Sequence, residues 1–368
     1  MRALRLLAIN LAVFAALVLL AEAALRLLGI ARPAFYRYDP VRGFSHRPGA
    51  QGWWTQEGKG WVQINKAGFR DTNHSNQPRP GVLRIAVLGD SFSEAFQVNQ
   101  AETWWKQLEQ RLNSTPGCAL RQGYPGGVEL MNFGVGAYGT GQEWLTWRQE
   151  VAPRGAQLVL LAMFLGNDID DNTPQVRNDR PVIRLNRQGE LTVDNSFRQS
   201  PGSRFRRSWV GRSLDGLIEH SRIAQLLNAA KNRGNQLSPS SEKGAAPAPP
   251  QAAGDGWAIT TALLKQLQQE TKAQGSRLIV TSLTSPDQVW PDRQQRRQQP
   301  FRLEQRLGQV LQPLAVTYLP LAPEMQRLAD QKGLLLHGFP GQQPGKGHWN
   351  SQGHRLAATL LARQLCGK

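Results

Sequence analysis

Ile85-Ala86-Val87-Leu88-Gly89-Asp90-Ser91-Phe92-Ser93-Glu94 runs from four aliphatic residues straight into a Gly-Asp-Ser turn. An unbroken apolar run bounded by a turn reads as a strand buried on both faces, as in a parallel sheet. The strand is expected over residues 83–88. Its turn lifts Ser91 off the carboxyl end of the strand, onto the threshold of a helix. Open α/β sheets keep their ligand sites at that edge. A serine there is a candidate nucleophile if the chain also supplies a base and oxyanion donors.

Outward from this turn, strands alternate with helices. Residues 101–113 carry Trp104, Trp105, Leu108 and Leu112 at helical spacing. Gly126–Asn132 reads as a second strand, Gln142–Glu150 as a helix, and Leu158–Phe164 as another continuous apolar strand. After a break the rhythm resumes with a helix over Trp257–Ala273 and a strand over Arg277–Leu283. A helix over Phe301–Leu311, a strand over Ala315–Leu319 and a closing helix over Gly353–Leu365 complete it. Such alternation implies a parallel sheet covered on both faces, the α/β class.

The break, residues 172–256, reads as an insertion into one catalytic domain spanning 81–368. Val182–Leu185 and Glu190–Val193 flank Asn186-Arg187-Gln188-Gly189, a hairpin signal. Ser208–Asn232 reads as one amphipathic helix. Residues 234–256 are rich in Pro, Ala, Ser and Gly and are expected to form a disordered linker. Residues 31–80 read as an extended lead-in with a short strand at Val62–Asn65, and Trp53, Trp54 and Trp61 as ordinary packing residues.

The N-terminus sets the compartment. Arg2 and Arg5 precede the apolar run Leu6–Ala21, broken only by Asn10; Glu22 and a second apolar patch, Ala23–Ile30, follow. Residues 1–30 are either a signal peptide cleaved at Ala21-Glu22-Ala23 or an uncleaved anchor reaching the ~20 residues a bilayer needs. The anchor is the favoured reading. It implies a single-pass inner-membrane protein with its catalytic domain in the periplasm; the signal peptide implies a protein secreted to the periplasm.

The net charge is +17, from 44 Lys and Arg against 27 Asp and Glu. The basic residues are scattered, with local clusters at Arg204–Arg207 and Arg293–Arg297 and no nucleic-acid module around them, so no nucleic-acid partner is expected. A solvated basic surface, or attraction to anionic envelope polymers or lipid headgroups, accounts for the charge. Asp168, Asp170 and Asp171 lack the histidines of a regular metal-ligand pattern and read as turn and helix-start residues. No metal and no organic cofactor is expected.

Four separated pieces carry chemistry together: Gly89-Asp90-Ser91, the glycine-rich turn from Asn132 to Thr140, Gly166-Asn167-Asp168, and Gly347-His348-Trp349-Asn350. The first three follow predicted strands and the fourth precedes the last helix, so all can meet at one sheet edge. His348 is the preferred base for Ser91 among six histidines, with His354, one turn into the closing helix, as the second candidate. The backbone N–H of Ser91, a backbone N–H of the second piece and the Asn167 side-chain amide are candidate oxyanion donors.

With these pieces the chain resembles the SGNH hydrolases, also called the GDSL esterase/lipase family, of the N-terminally membrane-anchored bacterial type. The resemblance runs from about residue 60 to 366, apart from the insertion. It includes the lead-in Ile64-Asn65-Lys66-Ala67-Gly68-Phe69-Arg70-Asp71. It implies a flavodoxin-like three-layer α/β/α sandwich with Ser91 as nucleophile and His348 as base. Ser91, Gly136, Ala137 and Asn167 would form the oxyanion hole, with Gly89, Asp90 and Asp168 in support. The order of nucleophile and histidine, and Ser93 where a G-x-S-x-G elbow needs Gly, argue against an α/β-hydrolase.

The chain departs from the family pattern twice. The second-block glycine aligns with Ala137, whose backbone N–H can still donate. The family's triad acid lies two or three residues before the histidine, where this chain has Lys346 and Gly345; no carboxylate lies between Asp330 and His348. Either a Ser91–His348 dyad operates, its imidazole oriented by a backbone carbonyl, or an acid arrives from elsewhere.

The expected function is hydrolysis of O-acyl esters, O-acetyl esters among them, through an acyl-enzyme on Ser91. The expected partners are an ester-bearing small molecule or an envelope polysaccharide, and the membrane through the N-terminal helix. A polysaccharide O-acetyltransferase using the same site is the first alternative. A non-catalytic glycan-binding envelope protein, suggested by the missing aspartate, is the second. Cys118 lies just past the first helix after the nucleophile strand and Cys366 at the end of the last. In a flavodoxin-like order those helices cover the same face, so a disulfide is expected.

Overall fold

The computed structural model describes residues 1–173, 179–236, 253–290, 292–296, 298–342 and 344–367. The N-terminal apolar run forms helix α1 (Arg2–Leu27), none of whose residues is buried, with a mean hydropathy of 2.4 over its apolar window. Two antiparallel hairpins follow: β1 (Tyr36–Asp39) with β2 (Gly43–His46), and β3 (Gln51–Trp54) with β4 (Gly60–Gln63). The stretch read as extended is therefore paired, and its last strand begins two residues before Val62. Trp53 and Trp61 face each other across the second hairpin with ring centroids 5.4 Å apart. Such a cross-strand pair contributes ~0.2–1 kcal/mol.

Strand β5 (Val82–Gly89) is buried at every position. It turns through Asp90 into the short helix α2 (Ser91–Glu94), and α3 (Trp104–Ser114) returns along the sheet. Then come β6 (Gly127–Asn132), α4 (Thr140–Thr146), which continues as a π turn to Val151, β7 (Leu158–Met163) and α5 (Asp168–Asp171). The insertion holds the hairpin of β8 (Val182–Leu185) and β9 (Leu191–Asp194), followed by α6 (Pro201–Arg207), α7 (Trp209–His220) and α8 (Arg222–Gln236). The single helix expected over 208–232 is thus two. Ser221 leaves the helical conformation, and its Oγ accepts the Ala224 N–H at 3.2 Å, starting a new helix.

Of the expected linker 234–256, the first three residues belong to α8 and residues 253–256 open α9 (Ala253–Ala273); 237–252 lie outside the described residues. The chain closes with β10 (Arg277–Ser282), α10 (Pro286–Val289), α11 (Arg302–Leu311), β11 (Thr317–Pro320), α12 (Ala322–Lys332) and α13 (Ser351–Cys366). Helix α12 has no counterpart among the elements expected from sequence.

The five-stranded sheet is parallel throughout, in the order β6-β5-β7-β10-β11. The strand first in sequence lies second in space, which is the flavodoxin-like order. Alternate side chains of β5 serve opposite faces. Leu83, Ile85 and Val87 pack with Trp104, Leu108 and Leu361 of α3 and α13, while Ala86 and Leu88 pack with Trp144, Leu264 and Leu307 of α4, α9 and α11. The result is a three-layer α/β/α sandwich. Because α3 and α13 share a face, Cys118 and Cys366 meet, and the structure joins them in a disulfide across 248 residues of sequence.

Candidate active site

Ser91 begins α2 at the carboxyl end of the central strand. Asp90 caps that helix, its Oδ1 accepting the Phe92 N–H at 3.0 Å. The turn is tight: a Cβ on Gly89 would lie 2.4 Å from Ser93 Oγ. It is also braced from the lead-in. The buried Arg70 guanidinium donates to the carbonyls of Glu94 at 3.0 Å, Val98 at 2.5 Å and Ala95. Asp71 Oδ2 accepts the Asn132 N–H at 2.9 Å, where the second piece leaves β6. The segment Asn65–Asp71 thus ties the serine turn to the glycine-rich turn beside it.

His348 sits on a loop strapped to residues 335–338. Gly338 N–H donates to the His348 carbonyl at 3.1 Å, Asn350 N–H to the Leu336 carbonyl at 3.0 Å, and the buried His337 Nδ1 to the Gly347 carbonyl at 2.8 Å. Trp349 Nε1 donates to Thr284 Oγ1 at 2.7 Å. The loop presents the His348 ring to Ser91, whose Oγ–H donates to Nε2 at 2.8 Å. His354 is elsewhere. Its Nδ1 accepts the Trp104 N–H at 3.3 Å, and burial lowers its pKa to about 3, holding it neutral within the core.

The other imidazole nitrogen of His348 meets an acid that sequence reasoning did not name. His348 Nδ1 donates to Glu57 Oε2, and the His348 backbone N–H donates to Glu57 Oε1 at 2.7 Å. Glu57 stands in the turn of the β3–β4 hairpin, 291 residues before the histidine. A carboxylate at Nδ1 fixes that nitrogen as donor and leaves Nε2 as acceptor, the tautomer a base for Ser91 requires. Gly347 makes the approach possible. Its φ is +76°, and a Cβ there would lie 2.0 Å from Glu57 Oε1. In sequence, Glu57 is one of three carboxylates between 31 and 80. The other two are engaged, Asp39 with Arg42 and Asp71 with His74.

The expected oxyanion donors separate into usable and spent. Gly136 is spent, since its N–H donates to Glu94 Oε1 at 2.7 Å. The same oxygen accepts from Tyr36 Oη at 2.7 Å and His46 Nε2 at 2.6 Å, so the first hairpin clamps the glycine-rich turn through Glu94. Ala137 is held at φ +61°, and its N–H, like that of Ser91, has no partner among the described residues. Asn167 Nδ2 donates one hydrogen to Asp171 Oδ2 at 2.9 Å, leaving the second. Ser91, Ala137, Asn167 and His348 line one cavity of about 2220 Å³, with Phe164 and Gly166 on its wall.

Burial dominates the titration of the acids around this site. Burial pushes Asp168 and Glu143 well above the carboxylate range, reinforced for both by Asp90 and Asp171 and for Asp168 also by Glu143. Burial likewise pushes Asp90 up to about 7, against the Phe92 hydrogen bond and the His348 charge. For His348 burial opposes the charged form, but the hydrogen bond and charge of Glu57 outweigh it and raise the imidazole above its ordinary value. Glu57 moves the other way: burial raises it, and the bonds from His348 lower it further than burial raises it. Among the described residues no group of three or more His, Cys, Asp or Glu is placed to hold a metal ion.

No family model matches the chain, and no curated protein sequence matches it. Solved structures do. An acetyl xylan esterase is 10% identical, with 76% of this chain and 97% of that chain covered and a TM-score of 0.40. An acetylxylan esterase from Geobacillus stearothermophilus, solved as a catalytic mutant, is 11% identical over 77% of this chain and 93% of its own, at a TM-score of 0.40. A GDSL-like lipase from Bacteroides thetaiotaomicron is 11% identical over 78% and 90%, at 0.37. Likeness at this level transfers no residue roles.

Proposed function

We propose that this chain is an extracytoplasmic serine esterase of the SGNH type, tethered by α1, that hydrolyses O-acyl esters. The observation that carries the proposal is the unbroken line from Ser91 Oγ through His348 to Glu57. Ser91 Oγ attacks the ester carbonyl carbon as its proton passes to His348 Nε2. The imidazolium that forms is stabilised by Glu57, as in a Ser-His-Asp triad. The tetrahedral oxyanion takes hydrogen bonds from the Ser91 and Ala137 backbone amides and the free hydrogen of Asn167 Nδ2. The C–O bond then breaks, and His348 returns the proton to the leaving alkoxide. Water, deprotonated by the same histidine, attacks the acyl-enzyme and releases the carboxylic acid and Ser91.

The non-catalytic alternative rested on the missing aspartate before His348, and Glu57 removes that ground. The cavity is larger than the ~300–1,000 Å³ of a small-ligand site. That size favours esters carried on a polymer or amphiphile, and O-acetyl groups on an envelope glycan suit it.

Hydrolysis of p-nitrophenyl acetate and covalent labelling by a fluorophosphonate, read by intact mass, test the reaction. The full chain should turn over and gain one adduct, and Ser91→Ala should lose both. A folded wild-type chain that neither turns over nor labels would sink the esterase reading.

A further inference from the structure

We infer that the outward face of α6 and α7 docks on the surface of an anionic phospholipid bilayer, the one in which α1 is inserted, and so seats the mouth of the Ser91 cavity at the membrane. The inference rests on the tethering proposed above.

Helix α7 leaves an apolar face uncovered by the rest of the chain's described residues. Its two acids tie it to the domain from the opposite side: Asp215 Oδ1 and Glu219 Oε2, both partly exposed, accept from the buried Arg47 side chain at 2.6 and 3.2 Å. Its apolar residues point outward. Trp209 is 74% exposed and Leu217 55%, with Val210 and Leu214 exposed between them and Phe205 of α6 alongside. At about 100° per residue the four on α7 fall within an arc of roughly 140°, away from Asp215 and Glu219. An apolar face of this kind on a monomer marks an interaction surface.

Charge identifies the occupant. Residues 201–214 contain Arg204, Arg206, Arg207 and Arg212 and no acid. Arginine flanking exposed Trp, Phe and Leu is the composition of a helix lying in the headgroup layer of anionic lipid. Residues 237–252 are a poor cover for the face, with Leu237 their only large aliphatic residue.

Helix α1 fixes the height. Its 26 residues span ~39 Å at 1.5 Å each, enough for a ~30 Å hydrocarbon core. Glu22, at the end of the apolar run, is built into the insertion: it accepts from Arg222 N at 2.9 Å, Ile223 N at 3.1 Å and Ser221 Oγ at 3.0 Å, capping α8. Arg26 bridges Glu22 at 2.9 Å and the His220 carbonyl at 2.5 Å. The corner between α7 and α8 is thereby held at the level where α1 leaves the hydrocarbon. Cleavage around Ala21–Ala23 would detach α1 and its cap from α8. Phe205, Arg206 and Leu214 also line the cavity that holds Ser91, so the docked face and the candidate site share a wall.

The test uses the full chain, one copy per nanodisc, in phosphatidylcholine and phosphatidylglycerol with or without brominated acyl chains. The native cysteines are paired, so an environment-sensitive thiol dye can be placed singly at Leu217→Cys, at Leu17→Cys within α1, and at Arg187→Cys on the β8–β9 turn. Docking predicts a blue-shifted, bromine-quenched dye at 217 and at 17 and an unquenched dye at 187. Replacing both Arg204 and Arg206 by Glu should weaken quenching at 217 and leave it unchanged at 17. Quenching at 17 but not at 217 overturns the docking and spares the tether. No quenching at 17 overturns the tether itself. A dye at 217 shielded from aqueous iodide but not quenched by bromine assigns the face to protein, a second copy or residues 237–252, and also overturns the inference. Esterase turnover, measured separately, bears on none of these outcomes.

Discussion

Ser91 and Glu57 stand at opposite ends of one hydrogen-bonded line, yet the molecule holds them by different means. Ser91 ends a buried strand paired on both sides, by β6 and by β7. Glu57 stands on a two-stranded hairpin whose exposed and buried residues alternate, an element marginal in isolation. The hairpin is held by docking. Lys59 N–H donates to the Gln97 carbonyl at 3.1 Å and Trp61 N–H to Asn99 Oδ1 at 3.0 Å. Cβ atoms on Gly58 and Gly60 would lie 2.4 Å from the carbonyls of Gln97 and Val98. The proposed nucleophile's position is a property of the sheet, whereas the proposed acid's is a property of one docked hairpin. Disturbing the acid should therefore cost activity and leave the fold standing.

The widest separation should come from the two residues themselves. Ser91→Ala removes the proposed nucleophile and should cost about 10⁶-fold in turnover, as loss of the serine does in a Ser-His-Asp triad enzyme. Glu57→Gln keeps the shape but misorients the imidazole and removes its counter-charge, and should cost ~10⁴-fold in kcat. Its circular dichroism and Tm should match the wild type. A Glu57→Gln enzyme within threefold of wild type would mean that Ser91 and His348 work as a dyad and the hairpin contact is structural only.

A smaller effect tests the contact rather than the acid. In Gly347→Ala the new methyl would collide with Glu57 Oε1 at a φ of +76°. The carboxylate should be displaced and kcat fall by about 10- to 100-fold, at ~1–2 kcal/mol of backbone strain. Gly341 has φ +81°, and a Cβ there would meet nothing within 4 Å, so Gly341→Ala carries the same strain without the collision. Equal kcat losses in the two variants would assign the effect to loop strain and remove Glu57 from the account.

This contrast also explains what could be read from the chain. Strand β5 and its serine turn are local: four aliphatic residues followed by Gly-Asp-Ser fix burial, strand type and the exposed hydroxyl together. His348 was legible for the same reason, lying just before an amphipathic helix that must start at the sheet's active edge. Glu57 carries no local signature. Its place beside His348 arises because the hairpin wedges against residues 96–99 and Gly347 lacks a side chain, contacts 38 to 291 residues apart in sequence. The engagement of the Gly136 amide was hidden on the same ground, because Glu94, which takes it, is positioned by Tyr36 and His46 of the first hairpin. The break in the helix at Ser221 depends on a cap completed by Glu22 of α1, 199 residues earlier.

The smallest expected effect is a shift along the pH axis, and its sign separates an acid that acts electrostatically from one that merely packs. His348 must be neutral to take the Ser91 proton, so kcat/KM should rise with pH through the imidazole's pKa. Burial lowers that pKa and Glu57 raises it, with smaller upward contributions from Asp90 and Glu94; the net is a value above the ordinary 6.5. Glu57→Gln removes the principal upward contribution and leaves burial in place. The acidic limb of the variant should therefore move to lower pH while the plateau falls. The ratio of wild-type to variant activity should then be smallest below the wild-type limb and grow as pH rises through it. A limb that stays where it is while the plateau falls would mean that Glu57 orients the ring without setting its charge. A limb that moves up would contradict the ion pair altogether.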